Sequence, residues 1–548
     1  MASSLTWSLF LASLLFLFTL PSPTLSSDVV SSSGNTGAES SVRDLCRSTP
    51  YPAACLDSLK LSVSITINPS VLSLALRTLQ AAISEAAKLS SVLSSAGRPG
   101  AVVESQRSSL QDCQELHQIT VASLRRSAGL VKPEARKLAD ARAYLAAALT
   151  NRATCLEGLA GARGPLKATL VDSWLAAYAH VSNSLSLVAR SGGRKGRRLS
   201  SARSFRSRGG AGFPAWVGRR ERQLLQDGDY GDVDPDSVVT VAADGTGNFT
   251  TLGEAVAWAP SNSDDRTIIL VRAGVYEEHV DIPSDKTNIV LIGDGSDVTV
   301  IRGNRSVGDG WTTFRSATVA VSGEGFLARD ITFQNVAGPR KGQAVALRVN
   351  ADLVALYRCV MDGYQDTLYV HSFRQFYREC DVYGTVDFIF GNAAVVLQAG
   401  NIVAKMPIPG QSNVITAQSK DDPNEDTGIS IQNCTIVASQ ELASSNVIVK
   451  TFLGRPWKNY STTVYMESYM GGLVDPAGWK EWSGDQGLDT LYYGEYMNSG
   501  PGSPTDNRVT WPGFLVMDYD DAYSFTVSEF IYGDEWLEST SFPYDDGI

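Results

Sequence analysis

Two aspartates stand in unusual company, Asp366 in GYQDTLY (363–369) and Asp387 in DFIFGNA (387–393). They are twenty-one residues apart, each among aromatic and apolar neighbours. Two carboxylates held close together cannot both ionise cheaply at neutral pH, so one keeps its proton while a nearby cation favours charge on the other. Walls of Tyr364, Tyr369, Phe388 and Phe390 would widen that split by desolvation. Carboxyl pKa values driven apart in this way mark an acid paired with a base or nucleophile. Arg455 in LGRPWK (453–458) is a candidate cation. Trp457, two residues on, is the kind of ring against which the C–H face of a sugar packs. Gln343 in QAVALR (343–348) and Gln365 beside Asp366 are amide donors that complete the constellation.

What must position these residues is a repeat. The runs LVALYRCVMDG, RQFYRECDVYG, AVVLQAGNIVA and ISIQNCTIVA align so that Cys359, Cys380, Gly400 and Cys434 share one register. Short strands repeating near every twenty residues indicate a parallel β-helix. The Leu-x-x-Leu-x-Leu frame of a leucine-rich horseshoe is missing, and the Asn-Gly hairpins a sandwich would need are scarce. One coil of a β-helix advances by one strand spacing, about 4.8 Å. The twenty-one-residue gap therefore stacks Asp366 over Asp387, with Gln343 in the coil before. Solenoids also stack Asp and Asn at turns for hydrogen bonding alone. The glutamines, the aromatic residues and the Arg-Pro-Trp segment distinguish this pair from such a ladder.

The 548 residues exceed one ordinary domain. Residues 1–26 read as a signal peptide, although no Lys or Arg precedes the apolar run and a retained membrane anchor is the alternative. Residues 40–185 carry apolar positions at helical spacing, with Leu72, Leu76, Leu79 and Ile83 on one face, and predict a four-helix bundle. Its cysteines suggest Cys46–Cys55 and Cys113–Cys155 pairs, though four cysteines permit three connectivities. Residues 186–236 form a Gly/Ser/Arg-rich linker in which RRLS (197–200) and RQLL (222–225) are candidate sites for a processing protease. Residues 237–548 are the β region. The formal net charge of −11 hides a basic first part and an acidic remainder, which excludes nucleic acid as the partner of the β region. Asn248, Asn304, Asn433 and Asn459 are glycosylation sequons suited to a secreted chain. No Gly-x-Ser-x-Gly elbow occurs, the four histidines fall in no triad context, and no Cys/His cluster has zinc spacing, so neither metal nor cofactor is expected.

The blocks GVYEE (274–278), QAVALR, GYQDTLY, DFIFGNA and LGRPWK resemble, in order, the signature of plant pectin methylesterases. Residues 40–185 are similar to the pectinesterase-inhibitor domain that precedes the enzyme in pro-forms of that family. The resemblance implies a right-handed parallel β-helix that removes methyl esters from homogalacturonan in the cell wall, preceded by an all-α inhibitor-like pro-domain. It implies Asp387 as nucleophile, Asp366 as proton donor, Gln343 and Gln365 as anion-stabilising amides, and Arg455 as the residue that orients the nucleophile. Trp457, Thr313, Tyr369, Phe390 and Trp479 become substrate contacts, together with Gln343 and Arg455. The family usually places a cysteine where Gly400 stands here, which leaves Cys359 as an alternative partner for Cys380. A galacturonan hydrolase or lyase would also use paired carboxylates, but the Gly-His-Gly and Arg-Ile-Lys blocks are absent. A non-catalytic wall-binding protein would not need Asp366, Asp387 and Arg455 together.

Overall fold

The computed structural model describes residues 43–60, 70–191 and 238–548. The apolar leader and both dibasic cleavage points, RRLS and RQLL, lie outside the described residues.

The first described unit is helical: α1 (Pro52–Lys60), α2 (Val71–Ala96), α3 (Ser109–Leu130), α4 (Ala135–Gly158) and α5 (Lys167–Ser191). Ser70 starts α2 by accepting the Ser73 amide on its side chain. The four long helices pack in pairs, α2 on α5 and α3 on α4. The inward stripe of α2 is Leu74, Ala75, Thr78, Leu79, Ala82, Ala86 and Leu89, whereas Leu72, Leu76 and Ile83 are half-buried at its margin. The leucine stripe expected from sequence is thus rotated, because alanines let α5 approach closely enough for Thr78 Oγ1 to meet Ser184 Oγ at 2.8 Å. Disulfides join Cys46 to Cys55 and Cys113 to Cys155, the second tying α3 to α4.

Residues 238–548 form a parallel β-helix of three sheets, with eleven, eight and seven strands. Each coil contributes strands in the same order, and their pairings are parallel, as in Leu347 over Leu368 over Ile389 over Thr416. Aliphatic side chains from all three sheets fill a continuous interior that includes Ile269, Leu291, Phe333, Leu356, Ile389 and Ile431. Corners are made by residues in the left-handed region, and Arg358, Glu379, Ala399, Asn433 and Glu467 repeat this conformation coil after coil. One residue further on, Cys359, Cys380, Gly400 and Cys434 occupy a single ladder, fixed by Val360 over Asp381 over Asn401 over Thr435.

The alternative Cys359–Cys380 bond is not formed. Cys359, Cys380 and Cys434 are buried free thiols, and the Cys359 amide donates to Cys380 Sγ at 3.4 Å. At Gly400 a Cβ would lie 2.0 Å from the Cys380 carbonyl oxygen, so a side chain fits there only if the coil shifts.

Candidate active site

The seven-stranded sheet carries the site. Strands Leu368–Val370 and Ile389–Gly391 pair in register, so the residues just before them, Asp366 and Asp387, lie in successive coils at the same strand entry. The Asp366 amide donates to the Val386 carbonyl at 3.0 Å, and both aspartates adopt left-handed backbone, φ 63° and 51°. Aspartate tolerates this conformation better than branched or bulky residues, and it turns the two carboxyls away from the strand's own alternation. Asp366 is 7% exposed and Asp387 4%.

Arg455 leaves the strand Thr451–Gly454 and grips Asp387 with two parallel bonds, Nε to Oδ1 at 2.8 Å and Nη2 to Oδ2 at 2.5 Å. Burial leaves the Asp387 carboxyl above the usual carboxylate range, and the Arg455 fork and the Lys480 charge limit that rise. Among the described residues Asp366 has no ion-pair partner. Burial first, and then the neighbouring Asp387 charge, push it well above the usual carboxylate range. The pair is therefore graded in one sense, with Asp366 the better placed of the two to hold a proton and Asp387 the better placed to carry charge.

The Gln365 carbonyl accepts the Ala344 amide at 3.1 Å, which sets Gln343 one coil ahead of Asp366. Both glutamines are half-buried, and their side-chain amides bond to no other described residue. Tyr369 and Phe390 stack on adjacent coils with centroids 4.2 Å apart, and Trp457 extends the aromatic row at 6.0 Å from Phe390. Thr313 is half-buried at the head of the 3₁₀ turn Phe314–Ser316.

Trp479 does not face this cleft. Its indole is 1% exposed, stacks on Tyr493 at 4.1 Å and donates to Glu495 Oε1 at 3.1 Å inside the solenoid. The bridge between Gly454 and Trp479 draws that residue into the coil and turns its ring inward. The aromatic that sequence reasoning missed is Trp482, three residues later in GWKEW. It stacks on Trp457 at 6.2 Å, and the Arg455 guanidinium lies 4.3 Å above its ring. Only the bridge, invisible in the sequence, tells the two tryptophans apart.

The helical bundle lies on this same face. Thr154 of α4 meets His371 Nε2 at 2.9 Å, and Glu157 pairs with Lys458, beside Trp457, at 2.7 Å. The Thr150 hydroxyl accepts the Asn392 amide at 2.9 Å. Tyr369 and Phe390 join the bundle's own apolar core and are 3% and 2% exposed. The space left between the units near Trp457 is about 90 Å³, against ~300–1,000 Å³ for ordinary ligand pockets. All four sequon asparagines, Asn248, Asn304, Asn433 and Asn459, are exposed. Among the described residues no helix is long and apolar enough to cross a membrane, and no His/Cys/Asp/Glu group could hold a metal ion.

The Pectinesterase family model matches residues 238–534, and the plant invertase/pectin methylesterase inhibitor model matches residues 40–187. The probable pectinesterase/pectinesterase inhibitor 12 of Arabidopsis thaliana is 60% identical over 524 residues, spanning 93% of this chain and 94% of its own. Pectinesterase 2 of Citrus sinensis is 43% identical over 518 residues, spanning 92% and 95%. The solved structure of pectin methylesterase from carrot is 53% identical, with a TM-score of 0.57, and covers 58% of this chain and 100% of its own.

Proposed function

Since the chain belongs to the pectinesterase family, a family of carboxylic ester hydrolases that demethylate pectin, we propose that Asp387 and Asp366 carry out this hydrolysis as nucleophile and proton donor. The observation that carries the assignment is the two-bond grip of Arg455 on Asp387, with Asp366, which has no ion pair among the described residues, one coil away.

Asp387, kept anionic by Arg455, attacks the C6 ester carbonyl of a galacturonate unit. The amides of Gln343 and Gln365, which bond to no other described side chain, donate to the oxygen that becomes negative in the tetrahedral intermediate. As that intermediate collapses, the bond to the methoxyl oxygen breaks, and Asp366 gives its proton to the departing group, which leaves as methanol. Water then adds to the acyl-enzyme, giving one proton to Asp366, and the bond to Asp387 breaks to release the galacturonic acid, which loses its own proton to solvent. Every proton is supplied by the pair or by water, so the sequence of steps balances without a cofactor. Trp457 and Trp482 flank Arg455 as platforms for the sugar rings.

The bundle acts as an intramolecular inhibitor, because Thr154, Glu157 and the helix α4 that carries both occupy the face that pectin would need. A processing protease cutting the basic linker at RRLS or RQLL would let the two units part. The apolar leader and the four accessible sequons fit a chain secreted to the cell wall. On this account residues 1–26 are a signal peptide, 40–185 the pro-domain, 186–236 the linker and 237–548 the catalytic unit. Assaying pectin for methanol and, in parallel, for new reducing chain ends tests the reaction class. Methanol without new chain ends is the expected result, whereas new chain ends without methanol would place the carboxylates in backbone cleavage.

A further inference from the structure

Asp387 and Arg455 come from coils whose strands are not neighbours. Ile389–Gly391, which follows Asp387, and Thr451–Gly454, which precedes Arg455, are both paired to the strand between them, Asn413–Gln418. Gln418 ends that middle strand, stands opposite Gly391 and is 0% exposed. Beyond Gly454 the chain leaves the sheet, carries Arg455 and Trp457, and rejoins the solenoid at the strand Thr462–Met466. Pro456 lies within this segment and has no amide hydrogen to give. The grip of Arg455 on Asp387 therefore depends on what holds the segment.

Gln418 holds it at both ends. Its main-chain carbonyl accepts the Trp457 amide at 3.2 Å, and its side-chain Oε1 accepts the Thr462 amide at 2.8 Å. The same Oε1 accepts the Lys420 amide at 3.0 Å. An oxygen that takes two backbone N–H groups fixes which way the amide faces, so Nε2 points back to the Asp387 coil. There it donates to Asn392 Oδ1 at 3.0 Å. Asn392 is buried in DFIFGNA, the block that begins at Asp387, and its Oδ1 also accepts the Thr427 hydroxyl at 2.6 Å. Its backbone amide donates to the His371 carbonyl one coil earlier at 3.0 Å. One buried side chain thus ties the coil of Asp387 to the segment of Arg455, and leaving any of these groups unpaired would be costly.

We propose that Gln418 is a positioning residue for the esterase reaction, holding the Arg455–Trp457 segment against the Asp387 coil and so setting the grip of Arg455 on the nucleophile. The inference rests on the reading of Asp387 as that nucleophile. With no exposed surface, Gln418 meets no substrate, so its effect passes through Arg455 and Trp457. A residue that only stabilised the coil would lower the unfolding midpoint without moving a titration. Asp366, Lys480 and the buried Tyr493 also face Asp387 or Arg455, and among the described residues none of them is bonded to Gln418. Glu425, beside Asn392, has its carboxyl pushed up to about 8 by burial and by Asp422, so it titrates on the alkaline side of the profile.

The test follows methanol release from pectin against pH in the full chain cut within 192–237. Gln418→Met keeps the length of the side chain and loses its amide. The acid limb of kcat/KM should move up by at least about half a pH unit, and kcat should fall about tenfold. In the Arg455→Gln background the same substitution should move the limb no further, because both residues act on Asp387 through one contact. A limb that stays in place in Gln418→Met, or that shifts equally in both backgrounds, overturns the proposal. Should Gln418→Met fail to fold, Thr427→Val removes only a hydroxyl that orients Asn392 and should move the limb in the same direction. No movement there overturns the proposal as well. An acid limb unmoved by Arg455→Gln itself would contradict the reading of the Asp387–Arg455 pair and take this inference with it. A limb moved by Arg455→Gln and not by Gln418→Met would overturn this inference alone.

Discussion

Arg455 holds both oxygens of Asp387, at 2.8 and 2.5 Å, while Asp366 one coil away has burial and a like charge but no cation of its own among the described residues. This asymmetry makes Asp366 the easier of two chemically identical side chains to keep protonated. Removing it should be visible in the pH profile. Asp387 works ionised, so activity rises with pH through its pKa. Arg455→Gln removes the charge that pulls this pKa down, and the acid limb of kcat/KM for methanol release should move to higher pH. A loss of about 10²–10³ in kcat is expected alongside. An acid limb that stays in place would mean that Arg455 does not set the charge on Asp387.

Asp366 works protonated, so activity should fall as pH rises through its raised pKa. Asp366→Asn cannot donate the proton to methanol, and turnover should drop about 10²–10⁴-fold. Whatever activity remains should lack the alkaline limb. A pH-rate profile of the variant checks both points.

Coverage by the bundle predicts latency. Limited proteolysis within 192–237 should raise methanol release from pectin at least about tenfold once the halves separate. In the uncut chain, Glu157→Ala with Thr154→Val removes the contacts to Lys458 and His371, and it should raise activity without any cut. Equal activity before and after proteolysis would contradict the blocking role.

The bundle should also be acid-sensitive. His117 is buried against Ser90 and Trp174, and burial lowers its pKa to about 4. An unfolded histidine takes up its proton near pH 6.5, so this contribution to stability is intact above that pH and is lost as pH falls toward 4. The full effect is ~3 kcal/mol. His180 and His371 are shifted in the same direction, so His117→Gln should remove part of the acid dependence rather than all of it. Urea unfolding midpoints measured at several pH values between 7 and 4 read this directly.

The sequence carried the β-helix because coil length is written as a period. Cys359, Cys380, Gly400 and Cys434 recur in register, and that period alone put Asp366 and Asp387 in neighbouring coils. What it did not carry was the direction in which a side chain points once the period is set. Trp479 and Trp482 are three residues apart, and one coil-to-coil bridge sends the first inside and leaves the second at the cleft. The stripe on α2 was rotated for a related reason, since alanine reads as neutral in a sequence yet decides how closely two helices approach. Thr154 and Glu157 gave no signal at all, because their roles arise only when the bundle meets the β-helix.

Replacing Asp387 by Asn tests the mechanism most directly, since the side chain keeps its shape while the nucleophile is lost. Methanol release from pectin should fall at least about 10³-fold while the thermal unfolding midpoint and hexagalacturonate binding stay near those of the unchanged chain. Turnover close to that of the unchanged chain would contradict the assignment of Asp387 as nucleophile.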